Sequence, residues 1–262
     1  MKPFLAAFLG AALIPGTYGH QVAGILLVNG TESLAWKYVR DVVPQWDYFP
    51  GTFPEGDDFP KTPPQEDIMN TNITCGRDAF KFAATTETAD VLAGDEVGFR
   101  VSYDGNGPYG VFWHPGPGQV YLARAPNDDL ETFRGDEGDW FKIAYAGPLD
   151  NKTWQLWGPV HEFNFTIPKT TPPGKYLLRI EQFMPTALQN YTQWYVNCAQ
   201  VNIIGPGGGT PTGFAKFPGT YQVTDPGLQI PPDQWVNGGY VDDDHMRLLD
   251  YIAPGPAVWT GE

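Results

Sequence analysis

The sequence predicts an all-β protein, an immunoglobulin-like or fibronectin III-like antiparallel β-sandwich with long loops. Three observations predict it. Seven short runs have strand character, the stretches between them carry turn chemistry, and helix signals are weak and short. The 26 prolines and 31 glycines among 262 residues supply the turns and imply long ordered loops.

The first 19 residues stand outside this fold. Lys2 gives a short positive start, and Phe4 to Ile14 is an unbroken run of apolar and small residues. Pro15 breaks that run, and Thr17 and Gly19 are small residues at the −3 and −1 positions of a cut. These are the marks of a signal peptide, residues 1–19, cleaved between Gly19 and His20. Residues 20–262 then form a single domain. No later segment offers a run of apolar residues long enough to span a bilayer, so a secreted, extracellular protein is expected.

The strands come in this order: Ile25–Val28, Glu96–Tyr103, Gln119–Arg124, Phe141–Tyr145, Glu162–Ile167, Lys175–Phe183 and Tyr195–Ile204. In the second, Val97, Phe99, Val101 and Tyr103 alternate with Glu96, Gly98, Arg100 and Ser102, the pattern of a half-buried strand. Two loops are elaborated. Asp41 to Met69 is rich in proline, acids and the aromatics Trp46, Tyr48, Phe49, Phe53 and Phe59, and Gly205 to Glu262 is a long irregular tail. Loops of that length in a compact domain are functional or disordered, and the aromatics favour order. There is no internal repeat. No cysteine follows Cys198, so no small disulfide-rich carbohydrate-binding module is appended.

The net charge of −14 argues against nucleic acid, because no basic stripe is present to neutralise phosphates. It serves solubility, and a monomer is expected. The two cysteines, Cys75 and Cys198, pair in an oxidising compartment. Closing so long a loop is worth about 4–5 kcal/mol in the chain-entropy model. Five glycosylation sequons begin at Asn29, Asn72, Asn151, Asn164 and Asn190, as suits an exported chain.

The chemistry centres on His20, one of only four histidines. A histidine at a mature N-terminus offers two nitrogens at once, the α-amine and the imidazole Nδ1. The α-amine has a reference pKa near 7.7–8.0, so a metal displaces its proton easily. A second imidazole completes three nitrogens, a set that suits Cu(II). His114, beside Pro-Gly turns, reads by itself as an ordinary loop residue. Gln193 and Tyr195 lie two apart on one strand and therefore share a face, although a tyrosine there is also compatible with simple packing.

The chain resembles the lytic polysaccharide monooxygenases of auxiliary-activity family nine. Exposed His20, TCGRDAF at Cys75, AGDEVGFR, WHPGPGQVYLARAP, WFKIAYAGP, TIPKTTPPGKYLLRIE, QWYVNCAQVNIIGPGG, TDPG and the closing IAPGPAVW carry the resemblance, in that order, across residues 20–262. It implies that His20 and His114 ligate one copper ion, that Tyr195 is the axial ligand and Gln193 the hydrogen-bonding glutamine, and that Cys75 and Cys198 are bonded. It also implies oxidative cleavage of cellulose or a related β-glucan at C1 and/or C4, with dioxygen or peroxide and an external electron donor. Trp259 in the closing motif is the first candidate to stack on sugar, and Trp46 and Tyr48 are weaker ones. One departure stands out. The family carries a histidine shortly after its R-x-E strand motif, and counting from Arg179 puts Thr186 in that place, with His161 and His245 the only spare histidines. A copper- or glycan-binding protein without catalysis is therefore the alternative. A glycoside hydrolase is a further rival, but no carboxylate pair stands out among the 30 acidic residues.

Overall fold

The computed structural model describes residues 19–49, 51–104, 109–188, 191–236, 239–241 and 245–262. The expected signal segment up to residue 18 and Asn190 of the last sequon lie outside the described residues. Eleven strands run through the rest: β1 Ile25–Val28, β2 Thr31–Glu32, β3 Ala89–Leu92, β4 Glu96–Arg100, β5 Gly118–Arg124, β6 Phe141–Ala146, β7 Glu162–Thr166, β8 Gly174–Met184, β9 Gln193–Ile204, β10 Trp235–Val236 and β11 Gly239–Tyr240. The only helices among the described residues are single 310 turns, and none is long and apolar enough to cross a membrane.

Two sheets form the sandwich, one ordered β2-β1-β4-β7 and the other β3-β9-β8-β5-β6. All seven expected strands are present. The antiparallel expectation has one exception, because β3 pairs parallel to β9 at the sheet edge. The β1–β2 hairpin is explained by its sequence. Asn29 and Gly30 both take positive φ (49° and 74°), as a two-residue turn requires, and Val28 faces Thr31 across it.

Burial explains why the two sheets differ in sequence. In β4, Val97 and Phe99 point inward from the four-stranded sheet, as Phe163 and Phe165 do from β7. They meet Val120, Leu122, Leu178, Ile180, Ala199 and Val201 of the larger sheet. Each such side chain stabilises the fold by about 1.5–3 kcal/mol. At the edge of the four-stranded sheet β7 turns one face to solvent and so alternates, while β1 is buried on both faces. The larger sheet is covered on both faces, so β5, β8 and β9 are buried along nearly their whole length, with Gln119, Arg179, Glu181, Gln182, Asn197 and Gln200 as buried polar members. Tyr121, Leu177, Trp194 and Cys198 occupy its second face, where the loop residues Ile73, Phe133, Phe217 and Tyr221 cover them.

The Cys75–Cys198 disulfide, with Cα atoms 5.0 Å apart, fastens that covering loop to the middle of β9. Beside it runs a buried polar network. Arg179 and Glu181, both fully buried, are paired at 2.6 Å. Arg179 also donates to the carbonyl oxygens of Thr74 (2.8 Å) and Ile73 (2.9 Å), and the Tyr221 hydroxyl donates to Glu181. The tail and the disulfide loop are thus bonded to the centre of the sheet. Of the described sequons, Asn29, Asn151 and Asn164 are exposed, while Asn72 is half-buried and accepts from the Asp78 amide at 3.0 Å.

Candidate metal centre

The candidate ligands gather where β1, β5 and β9 begin. His20 lies just before β1 and is held in place by the next three residues. Gln21 is buried and donates to Gln182 Oε1 at 2.8 Å, and Gln182 in turn donates to the carbonyl of His114 at 2.9 Å. Val22 bonds the Tyr103 carbonyl at 3.0 Å, and the Ala23 amide donates to Asn197 Oδ1 at 3.0 Å. Both sheets therefore fix the chain immediately after His20. His114 sits in the turn into β5. There Gly116 passes so close to β8 that a Cβ would fall 1.8 Å from the Phe183 carbonyl oxygen, so only glycine fits.

The two imidazoles stand 5.6 Å apart, centroid to centroid, and nearly perpendicular at 80°. Tyr195 lies 5.7 Å from the His114 ring, stacked at 20°, and 6.1 Å from His20. Its hydroxyl donates to Gln193 Oε1 at 2.8 Å, as side chains two apart on one strand face allow. That bond occupies the Gln193 carbonyl and leaves its amide N–H groups as donors.

The electrostatics favour neutral bases. Burial lowers the His20 imidazole to about 4, and burial followed by the neighbouring His20 lowers His114 to about 4. Burial raises the Tyr195 phenol well above its ordinary value, so it stays protonated. Nδ1 and Nε2 of His20 and Nε2 of His114 are buried without a hydrogen-bond partner. Buried polar atoms are nearly always satisfied, and each neutral ring keeps one lone-pair nitrogen, so two adjacent rings with unpartnered nitrogens fit a shared metal ion. Two neutral imidazoles fit a borderline transition metal.

The other expectations fare unevenly. Trp259 is corrected. It is 5% exposed, packs edge-on to Phe141 at 5.3 Å inside the sandwich core, and spends its indole N–H on the Glu262 carbonyl. A ring so enclosed offers no face to a sugar. The long acidic loop does reach the site, since Tyr48 and Phe49 contact His20 edge-on at 5.6 and 5.4 Å, and Trp46 of the same loop is 49% exposed. Phe49 was visible only as one aromatic in a dense group. Gln21, Gln182 and Asn197, which hold the ligands, carried no sequence signal. Thr186 is buried, its hydroxyl donating to the Leu188 carbonyl at 2.9 Å and its backbone bridging Gln229. His161 is exposed with Nδ1 2.9 Å from the Gly110 carbonyl, and His245 is also exposed.

A β-sandwich that brings two histidines together beside a buried tyrosine suits a metal-binding protein, and comparison with known proteins identifies the family. Auxiliary Activity family 9 (formerly GH61) matches residues 20–240. The chain is 67% identical over 261 residues to AA9 family lytic polysaccharide monooxygenase U of Thermothielavioides terrestris, covering all of both chains. It is 36% identical to AA9 family lytic polysaccharide monooxygenase C of Emericella nidulans, covering 97% of each. The crystal structure of HiLPMO9B superposes with a TM-score of 0.67 at 26% identity, covering 92% of this chain and 100% of that one. The chain belongs to Auxiliary Activity family 9. It is a lytic polysaccharide monooxygenase, an enzyme that cleaves polysaccharides oxidatively.

Proposed function

We propose that the mature enzyme, residues 20–262 as a single catalytic domain, is exported and begins at His20. The α-amine and imidazole of His20 and the imidazole of His114 would hold one copper ion, with the Tyr195 phenol beside them. The set of unpartnered nitrogens on the two neutral rings carries this reading. Two imidazoles supply side-chain nitrogens, and the main chain would supply the third. A Cβ built on Gly19 would lie 3.4 Å from His114 Nε2, so residue 19 runs close to that imidazole. Cutting after Gly19 creates the α-amine of His20. The family match also starts at residue 20.

Copper supplies, when bound, the one-electron chemistry toward dioxygen or peroxide that oxidises C1 or C4 of a β-glucan such as cellulose, with electrons from an external donor. The remaining tasks fall to the chain. Tyr195 stays a neutral phenol and so shields one side of the site without competing as a phenolate. Gln193 keeps neutral amide donors on the same strand face. Tyr48 and Phe49 shelter His20 from water, and exposed Trp46 offers an aromatic face for a sugar ring. The strong negative charge keeps the secreted protein monomeric. Cys75–Cys198 holds β9, and with it Tyr195, in place. Asn29, Asn72, Asn151, Asn164 and Asn190 are the proposed glycan acceptors. Mass spectrometry of soluble products from several glucans, with copper and ascorbate and with or without peroxide, tests the reading. Copper-dependent oxidised oligosaccharides are expected, and copper-independent hydrolysis products would contradict it.

A further inference from the structure

We propose that a cleft beside His114 is a carbohydrate subsite with Trp157 as its stacking platform, holding the glucan chain next to the metal centre. This rests on the oxidative glucan reading above and extends it to a surface outside the ligand set. The cleft is about 680 Å³, and Pro115, Asn151, Thr153, Trp154, Trp157 and Tyr240 line it. Pro115 comes directly after His114, so the cleft opens at the metal centre's border.

Both walls are tied to the turn that carries His114. On one side the Phe112 amide donates to the Val160 carbonyl at 2.9 Å, three residues beyond Trp157. On the other, the Tyr240 hydroxyl donates to the Pro185 carbonyl at 2.8 Å, and Pro185 packs 3.1 Å from the Cβ position of Gly116. The spacing between cleft and ligand is therefore fixed by hydrogen bonds, not by a free loop.

The lining selects a neutral, hydroxyl-rich ligand. Trp157 is 41% exposed, an open aromatic face of the kind that stacks on sugar rings. Trp154 is 1% exposed, is held edge-on to Tyr251 at 4.9 Å, and its buried Nε1 has no partner. The Asp150 carboxylate accepts from the Lys152 and Thr153 amides, each at 2.7 Å, and the Lys152 cation lies beside it, so the lining pairs one anion with one cation. The Asn151 side chain accepts from the Leu249 amide at 3.2 Å, which orders the rim. Since Asn151 is also a sequon, the chain's own glycan is the competing occupant.

The test is calorimetry with cellohexaose on the copper-loaded mature protein without reductant, comparing Trp157→Ala, Trp157→Phe and Asn151→Gln with wild type. Trp157→Ala should weaken binding about tenfold and Trp157→Phe by much less, a difference of the size expected for one aromatic contact. Copper affinity and melting temperature should not move, because Trp157 is exposed and outside the ligand set. Equal cellohexaose affinity in wild type and Trp157→Ala, with oxidised products unchanged, overturns the subsite and leaves the oxidative reading standing. Binding that appears only in Asn151→Gln or after deglycosylation assigns the cleft to the protein's own glycan and also overturns it. A wild type that yields no oxidised product from any glucan removes the oxidative reading, and the subsite falls with it.

Discussion

The pH dependence of copper affinity is set by how deeply the two imidazoles are buried. A metal must displace every proton its ligands carry, so each protonated ligand costs one decade of affinity per pH unit. The α-amine, with its reference pKa near 7.7–8.0, carries a proton throughout the acidic range and gives a slope of one. Imidazoles at their usual 6.5 would add two more protons below that pH. At pH 5 they would cost about 1.5 decades each, about a thousandfold together or roughly 4 kcal/mol. Here burial holds both rings at about 4, so that penalty is absent. Affinity should therefore fall about tenfold per pH unit from pH 7 to pH 4.5, and steepen only below pH 4. Chelator competition measured across that range, corrected for the chelator's own protons, gives the slope. A slope near three between pH 6 and pH 5 would refute the claim that the imidazoles are neutral. The same shifts act on the metal-free protein. Unfolded histidine takes its proton below 6.5 and folded histidine only near 4, so stability falls as pH drops through that window.

The same geometry sets other outcomes. Replacing Cys75 and Cys198 with serine should cost about 4–5 kcal/mol, a fall in melting temperature of roughly 10 °C or more for a chain of this size. A non-reducing peptide map with both thiols free would contradict the bond. Glu181→Ala leaves the fully buried Arg179 guanidinium without its partner, and denaturant unfolding should show a loss of about 3–5 kcal/mol. A loss below 1 kcal/mol would mean that water reaches the pair. Thr186→His should destabilise by about 1–3 kcal/mol through overpacking, without changing the pH profile of peroxide production, because Thr186 is spent in its own turn. A new ionisation near neutrality in that profile would place the side chain at the metal after all.

Much of the fold was legible because seven strands announce themselves as apolar or alternating runs. The parts missed are those with little sequence of their own. β2 has two residues, and β3 is a four-residue edge strand whose parallel pairing is a tertiary outcome. His20 was legible as a ligand through the processing signal before it, whereas His114 reads as a loop residue until the resemblance is recognised. The long acidic loop was singled out by its aromatic density, and two of those aromatics do touch His20. Trp259 was chosen from the family-like closing motif, while the area of the indole drives it against Phe141. The opposite holds in TWQLWGP, where two tryptophans three apart carry no distinguishing pattern. Packing buries Trp154 and leaves Trp157 open.

The central claim is that the third nitrogen is the α-amine of His20, and one comparison addresses it directly. Two forms of the protein, one beginning at His20 and one retaining Gly19, are titrated with copper under identical conditions. Loss of an outer-shell partner alone costs about 10–100-fold in metal affinity, so losing a primary nitrogen should cost at least about 100-fold. Equal affinity in the two forms would contradict the account.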